Sequence, residues 1–275
     1  MNDLTPPLHQ IFPGQGEMAH LMRSKDWSKT SLGDPEFWPE ALKVAVGILL
    51  TSRFEMWLGW GEDIAFLYND AYRPTLGIKH PDSLAKPTKE LWAEIWDDVE
   101  PRIRTVYERG EATWDRALLL ILERSGYPEE TYHTFSYSPI LERDGKPGGL
   151  LCAVTEETLR VLTERRMETL RVLSSRLAGA TDKASVLAAA QEVLAGNLRD
   201  LPFTLTYLFH GSDPELAFST GVPTEHPILQ QAVHLLSKDY SQVHGLSDYG
   251  DLPSGDWDRA PIAARIVPLV GQGGT

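Results

Sequence analysis

The spacing of apolar residues changes from helical to strand-like and back again along the first half of the chain. Residues 37–50 and 97–109 carry apolar side chains at intervals of three and four, which predicts amphipathic helices. Residues 54–60 and 64–68 are aromatic and β-branched and flank a polar turn at 61–63, which predicts a β-hairpin. Three further strands are predicted at 113–123, 130–140 and 149–155, and short helices at 71–76 and 83–92. This order predicts an α+β domain with an antiparallel five-stranded sheet and helices on one face.

A single long helix is predicted to follow this domain, from about residue 156 to residue 180. Its leucines lie on one face, at Leu159, Leu162, Leu170, Leu173 and Leu177, and its other face is rich in Arg and Glu. With Met167 included, the apolar residues do not follow a strict heptad. A lone amphipathic helix of this length is marginal in water, so other groups must cover its apolar face. We therefore expect a parallel homodimer joined through this connector helix.

The two ends of the chain carry weaker patterns. Residues 1–13 contain three prolines and no periodicity, which predicts a loose arm, and a short helix is predicted at 16–26. Residues 181–275 alternate helix and strand signals and stop soon after a strand signal at 263–270, which predicts a second, incomplete α+β domain. The expected organisation is an arm with a short helix at 1–31, a first domain at 32–158, a connector at 156–180 and a second domain at 181–275.

Composition and charge narrow the classes of function. The chain has 275 residues, of which 26 are Lys or Arg and 39 are Asp or Glu, so its formal net charge is −13. A field of this sign repels phosphate backbones and anionic lipids, so neither nucleic acid nor a membrane surface is expected as a partner. Cys152 is the one cysteine in the sequence, which excludes intrachain disulfides and multi-thiolate metal sites. No secretory signal and no apolar run of membrane length is predicted, and we expect a cytoplasmic protein.

Catalytic and metal-binding patterns do not converge on a site. Residues 14–19 match G-x-G-x-x-A, but no strand precedes them, so an ordinary turn before a helix is expected. The eight histidines lack the spacing of metal ligands, and no metal site is predicted. Ser136 and Ser138 have no nucleophile elbow, and Cys152 lies on an apolar strand, where burial makes a thiol inert. No catalytic residue is therefore predicted.

Aromatic side chains are dense in the first domain. Some must form its core, but a sheet covered by short helices can also enclose a cavity lined by aromatic and a few polar groups. His133 lies on a predicted central strand among aromatic residues, where a buried structural histidine is the competing interpretation. Two interpretations remain open here, a filled core and a pocket for a small ligand. The candidate lining of such a pocket is Tyr68, Asn69, Tyr72, Trp92, Trp96, His133 and Tyr137.

Several stretches of the sequence resemble a known family. Those in the first domain are SLGDPEFWPEALKVAVGILLTSRFEMWLGWG, FLYNDAYRPTLGIKHP, ELWAEIWDDVEPRI and TYHTFSYSPILERDGKPGGLLCAVTEET. Residues 32–158 resemble the PAS domain found at the N-terminus of bacterial hybrid sensor histidine kinases. Residues 154–158 (VTEET) are similar to the D-x-T exit motif of that family, with Ala153 where the motif has Asp. The resemblance implies that Thr155 and Glu156 pass a signal from the last strand to the connector helix.

The second domain resembles a GAF domain, through LPFTLTYLF, TEHPIL and AARIVPLV. Together the two resemblances imply a sensing and relay module of a two-component system. The phospho-acceptor and ATP-binding motifs of a kinase are absent from the sequence, so a kinase domain is expected downstream in a longer protein. Attachment signatures for haem, flavin and bilin are also missing, so no cofactor is identified. Two other functions stay open, a small-molecule enzyme that uses the aromatic cavity with His133, and a ligand-free dimerisation module.

Overall fold

The computed structural model describes residues 8–211, 213–237 and 240–269. The chain divides into two compact units, Met1–Val161 and Leu162–Thr275, called here the first and the second unit. Residues 1–7 of the predicted arm and the last residue of the strand predicted at 263–270 lie outside the described residues.

The first unit contains short helices and five strands. Its helices are α1 (Leu8–Ile11), α2 (Glu17–Ser24), α3 (Glu40–Thr51), α4 (Arg73–Leu76), α5 (Thr88–Leu91) and α6 (Trp96–Arg109). Its strands are β1 (Glu55–Trp60), β2 (Ala65–Tyr68), β3 (Thr113–Leu122), β4 (Glu129–Leu141) and β5 (Pro147–Glu156). The strands form one antiparallel sheet in the order β2-β1-β5-β4-β3. This confirms the predicted α+β fold with a five-stranded antiparallel sheet.

The register of the sheet determines which side chains face the helices. Trp57 on β1 lies opposite Cys152 on β5, and Cys152 lies opposite Tyr137 on β4, so these three residues form one buried row. Four residues further along, Glu156 on β5 lies opposite His133 on β4. Because successive residues of a strand face opposite sides, Glu156 shares its face with the core, whereas its neighbour Thr155 is exposed on the other face.

The N-terminal segment is part of the core, so the prediction of a loose arm is wrong for residues 8–13. Helix α1 occupies residues 8–11, and the side chain of Phe12 is fully buried. Its ring stacks on Trp27 with the ring centroids 5.7 Å apart and meets Trp38 edge-on at 5.5 Å. The prolines were misleading because Pro13 comes after the helix, where it ends the helix without disturbing it.

The residues that match G-x-G-x-x-A begin helix α2. The Met18 backbone N–H donates to Asp70 Oδ1 at 3.2 Å, so a carboxylate of the protein itself lies at the helix N-terminus. A Cβ at Gly16 would lie 2.1 Å from Asp70 Oδ2. Gly16 therefore allows the carboxylate to approach this helix end.

Two predicted helices differ from the structure. The helix predicted at 37–50 begins at Glu40, because Pro39 supplies its N-cap and residues 35–37 form a separate 3₁₀ turn. The helix predicted at 83–92 is reduced to α5. The backbone of residues 85–86 instead hydrogen-bonds to Phe66 on β2, at 2.8 and 2.9 Å, and these bonds are incompatible with a helix.

A long helix, α7 (Thr158–Leu177), leaves the first unit and continues into the second. The other elements of the second unit are α8 (Lys183–Ala195), β6 (Thr204–His210), β7 (Asp213–Thr220), α9 (Ile228–Gln231), β8 (Val243–Gly245) and β9 (Ala263–Arg265). Strands β6 and β7 form one antiparallel pair and β8 and β9 another. In the part of the chain that the structure describes, no helix is apolar over a length that would cross a membrane.

Candidate functional site

Strand β5 leads almost directly into helix α7. Glu156 is the last residue of the strand and Thr158 the first of the helix, so Glu157 alone separates them. The Glu157 N–H donates to the carbonyl of Tyr132 at 2.7 Å, and the Tyr132 N–H donates to Thr158 Oγ1 at 3.0 Å. The start of α7 is therefore hydrogen-bonded to β4, so a shift of β4 and a shift of the helix start are linked through these bonds.

An ion pair holds the last residue of β5. The Arg124 guanidinium donates to both oxygens of Glu156, at 2.7 and 2.9 Å, and also to Glu129 at 3.2 Å. Burial alone would raise the pKa of the Glu156 carboxyl, but the hydrogen bonds and charge of Arg124 hold it below its usual range. The hydrogen bond to Glu156 raises the pKa of Arg124 above its already high ordinary value. Two-pronged geometry of this kind fixes orientation as well as charge.

His133 lies opposite Glu156 and is buried. The side chain is 3% exposed, and its Nε2 lies 3.1 Å from Thr131 Oγ1. Burial lowers the pKa of His133 to about 4, the charge of Glu156 raises it, and the charge of Arg124 lowers it again. The imidazole is therefore neutral at pH 7.

Glu55 adds a further carboxyl to this place. Burial raises its pKa, and the nearby charge of Glu156 raises it further. Its Oε2 is buried and accepts no hydrogen bond from the described residues. We call Glu55, Arg124, Glu129, His133 and Glu156 the exit cluster. The cluster contains three carboxyls, a neutral histidine and one guanidinium. The positive charge of Arg124 therefore compensates the negative charge of the carboxylates in this cluster.

A second contact ties Glu157 to strand β3. The Thr134 hydroxyl donates to Glu157, and its oxygen accepts the Ala117 N–H at 2.9 Å. Ala117 has φ +48° and lies where the β3–β4 register shifts, which is a β-bulge. The hydrogen bond from Thr134 lowers the pKa of Glu157, and the bond from Arg160 lowers it as well. Through Thr134, the bulge is thus connected to the residue that joins β5 to α7.

The predicted aromatic cavity exists but is small. It lies between the sheet and the helices and has a volume of about 30 Å³. This is room for one or two water molecules, whereas small-molecule sites usually begin at about 300 Å³. Its lining includes four of the seven predicted residues, Tyr72, Trp92, His133 and Tyr137, together with Trp57, Thr75, Thr88, Ile95, Val99, Leu120, Leu122, Phe135, Cys152 and Val154.

The other three predicted residues lie elsewhere. The hydroxyl of Tyr68 is 2.8 Å from Nδ1 of His80, whose Nε2 lies 3.0 Å from Glu17 on α2. Asn69 is buried and structural, since its amide donates to the Phe54 carbonyl at 2.7 Å and its oxygen accepts two backbone N–H groups. Trp96 is half-buried at the start of α6. None of these three lines the cavity.

Helix α7 presents an apolar stripe to solvent. Leu159 is 81% exposed and Leu170 is 56% exposed, while Leu162, Leu173 and Leu177 are half-buried. Polar residues beside this stripe are bonded within the second unit. Arg165 donates to Asp200 at 2.6 and 2.9 Å, and Asn197 donates to Thr169 at 2.9 Å. Thr169 lies four residues before Leu173, so these contacts flank the stripe, and Leu159 and Leu170 are its exposed members.

Sequence reasoning found Glu156 and His133 but missed most of the exit cluster. Arg124 lies 32 residues before Glu156, in a turn of ordinary composition. Glu55 begins a strand that reads as apolar. The strand register brings these residues together, and no local spacing of charges marks them. Among the described residues, no group of His, Cys, Asp and Glu could hold a metal ion.

Comparisons with protein-family models and with curated proteins find no match. Among solved structures, a sensory box sensor histidine kinase from Vibrio cholerae is 18% identical, covering 42% of this chain and 90% of that one, with a TM-score of 0.30. The LOV protein of Rhodobacter sphaeroides is 14% identical, covering 56% and 90%, with a TM-score of 0.37. The PAS domain of BvgS from Bordetella pertussis is 16% identical, covering 48% and 98%, with a TM-score of 0.32.

At these identities and TM-scores, the three likenesses by themselves establish neither the fold nor the function. The assignment of fold rests instead on the sheet of the first unit, whose five antiparallel strands in the order β2-β1-β5-β4-β3 match the PAS fold. For the second unit, the resemblance to a GAF domain stays a prediction.

Proposed function

We propose that the chain is a signal-sensing and relay module in which the PAS-like first unit controls helix α7. The observation that carries this proposal is the exit cluster at the end of β5. Arg124 holds Glu156, and Glu157 is held by Thr134, one residue before α7 begins. A signal that binds one arrangement of these contacts more tightly than another would shift the equilibrium between two positions of the helix start. The size of the shift is the difference between its two binding free energies.

Helix α7 would transmit the change in its starting position as one of two paired helices. We propose a parallel homodimer through the leucine stripe. Leu159 and Leu170 are eleven residues apart, as are Leu162 and Leu173. An eleven-residue repeat is typical of helices that pair in a right-handed supercoil. Burying exposed leucines at about 25 cal/mol per Å² favours this pairing.

Residues 32–158 resemble the PAS domain of sensor histidine kinases, and residues 181–275 resemble a GAF domain. We therefore propose that a GAF-like second unit and then a histidine-kinase domain follow the relay in a two-component system. The volume of the interior cavity bears on which signal the module receives. A cavity of about 30 Å³ accommodates water, so a ligand there requires the core to open, and a ligand-free relay needs no such change. An enzyme that uses His133 is disfavoured because this space holds no substrate.

The test is disulfide trapping on the full chain. Cys152 is buried, so a cysteine introduced on α7 is the one accessible thiol in the described residues. Leu170→Cys should form a covalent dimer under mild oxidation. Glu168→Cys, about 200° around the helix, is the matched control and should not form a covalent dimer. Leu170→Cys and Leu173→Cys, each with and without Arg124→Met, test the relay.

The two parts of the proposal fail separately. Equal trapping at positions 168 and 170, or none at 170, would remove the dimer. Trapping at 170 that is unchanged by Arg124→Met would remove the exit cluster from the relay and leave the dimer standing. A changed ratio of trapping between Leu170→Cys and Leu173→Cys in the Arg124→Met background is the result expected, because the released helix start lets the stripe rotate.

A further inference from the structure

A second cavity of the first unit opens at the surface. It has a volume of about 360 Å³, which lies within the range of small-molecule sites. The turn after β1 and the segment before α3 form its walls. Among its ten lining residues, Trp38, Leu42 and Trp60 are buried and supply apolar surface. We call this space the surface cleft.

Two features of the surface cleft are exposed to solvent. Phe37 belongs to its lining and is 81% exposed, so its ring can contact a ligand. Glu62 and Asp63 are exposed and form no ion pair with the described residues. The remaining lining residues are Ser31, Leu32, Pro39 and Gly61, so the lining contains two carboxylates and no basic group.

We propose that the surface cleft binds a small organic cation, an ammonium or guanidinium group joined to an apolar body. The carboxylates of Glu62 and Asp63 would attract the cationic group, and the aromatic residues would cover the apolar body. Aromatic faces attract cations through their quadrupole, so both parts of the lining favour the same ligand. The net charge of −13 adds long-range attraction for a cation.

This site is separate from the small interior cavity, and its ligand would contact the sheet directly. Trp60 ends β1 and lies opposite Gly149 near the start of β5. The proposal does not depend on the proposed relay function, since binding can be measured without any signalling output.

The experiment is isothermal titration calorimetry of the full chain with phenethylamine, benzyltrimethylammonium and agmatine. The neutral 2-phenylethanol and the anionic 3-phenylpropionate control for shape. We expect at least one of the cations to bind about fivefold or more tightly than the alcohol, with no binding of the anion, and we expect added salt to weaken binding. If none of the three cations binds below about 10 mM, or the alcohol binds as tightly as the tightest of the cations, the proposal is wrong.

Variants locate the site. The double variant Glu62→Gln with Asp63→Asn should weaken cation binding about fivefold or more, and Phe37→Ala should weaken it without unfolding the protein because this side chain is exposed. The matched control is Glu108→Gln with Glu111→Gln, which removes two exposed charges from the same unit. An equal loss of affinity in the control would mean that the overall charge binds the cation and would overturn the assignment to the surface cleft.

Discussion

Replacing His133 by glutamine should remove a large part of the acid sensitivity of the first unit. The folded protein holds this histidine neutral, because burial lowers its pKa to about 4 from an ordinary value near 6.5. As the pH falls below 6.5, the unfolded chain therefore takes up a proton that the folded protein does not. The stability due to the neutral imidazole is complete above pH 6.5 and is lost as the pH falls towards 4.

The magnitude follows from the size of the shift. At 1.36 kcal/mol per pH unit, a pKa lowered from 6.5 to about 4 amounts to about 3 kcal/mol in full. Between pH 7 and pH 5 the same relation gives a loss of about 2 kcal/mol. Glutamine does not titrate and can still hydrogen-bond to Thr131. The His133→Gln variant should therefore lose about 2 kcal/mol less than the wild type over this interval.

Urea unfolding followed by tryptophan fluorescence measures this difference. Seven of the eight tryptophans lie in the first unit, so the signal reports on the part of the chain that contains His133. His9→Gln, which removes an exposed histidine from the same unit, is the matched control and should behave as wild type. If His133→Gln loses as much stability between pH 7 and pH 5 as the wild type does, the buried neutral histidine is not the source of the acid sensitivity.

Two further substitutions test the packing described above. Phe12→Ala should cost about 3–5 kcal/mol in the free energy of unfolding, as for other buried phenylalanines, whereas Leu8→Ala at a 43% exposed position of α1 should cost less than about 1 kcal/mol. Similar values for the two variants in urea unfolding would contradict the role of Phe12 in the core. Gly77→Ala should destabilise more than Gly145→Ala, since both glycines have positive φ but only at Gly77 would a Cβ meet a backbone atom, the Arg124 carbonyl oxygen at 2.2 Å. Equal thermal shifts for the two would show that the chain near Arg124 can move aside.

The strands were predictable because their signals are local. Residues 54–60 and 64–68 combine aromatic residues with a polar turn, and the later strands are separated by turns rich in glycine and proline. The sheet then allows few arrangements of five antiparallel strands with short connections. The predicted bounds of α6 and α7 differ from the observed ones by at most three residues, because helical periodicity extends over several turns.

The exit cluster and the N-terminal packing were not predictable in the same way. Arg124 meets Glu156 only because β3, β4 and β5 pair in one register, and a charged residue in a turn carries no sign of its distant partner. Phe12 lies in a segment with three nearby prolines, which favours irregular structure, but its burial against Trp27 and Trp38 outweighs that preference. In both places tertiary contacts decide what local propensity cannot.

The spacing of the stripe on α7 has a consequence for how paired copies would behave mechanically. Eleven residues in three turns is about 3.67 residues per turn, slightly more than the 3.6 of an ordinary helix. A stripe with this spacing drifts by about 20° around the helix over eleven residues, so two such helices stay in contact by winding into a shallow right-handed supercoil. A rotation of the helix start at Thr158 that tightens this coil would loosen a left-handed heptad coil, so the direction of the rotation would decide how the paired helices respond.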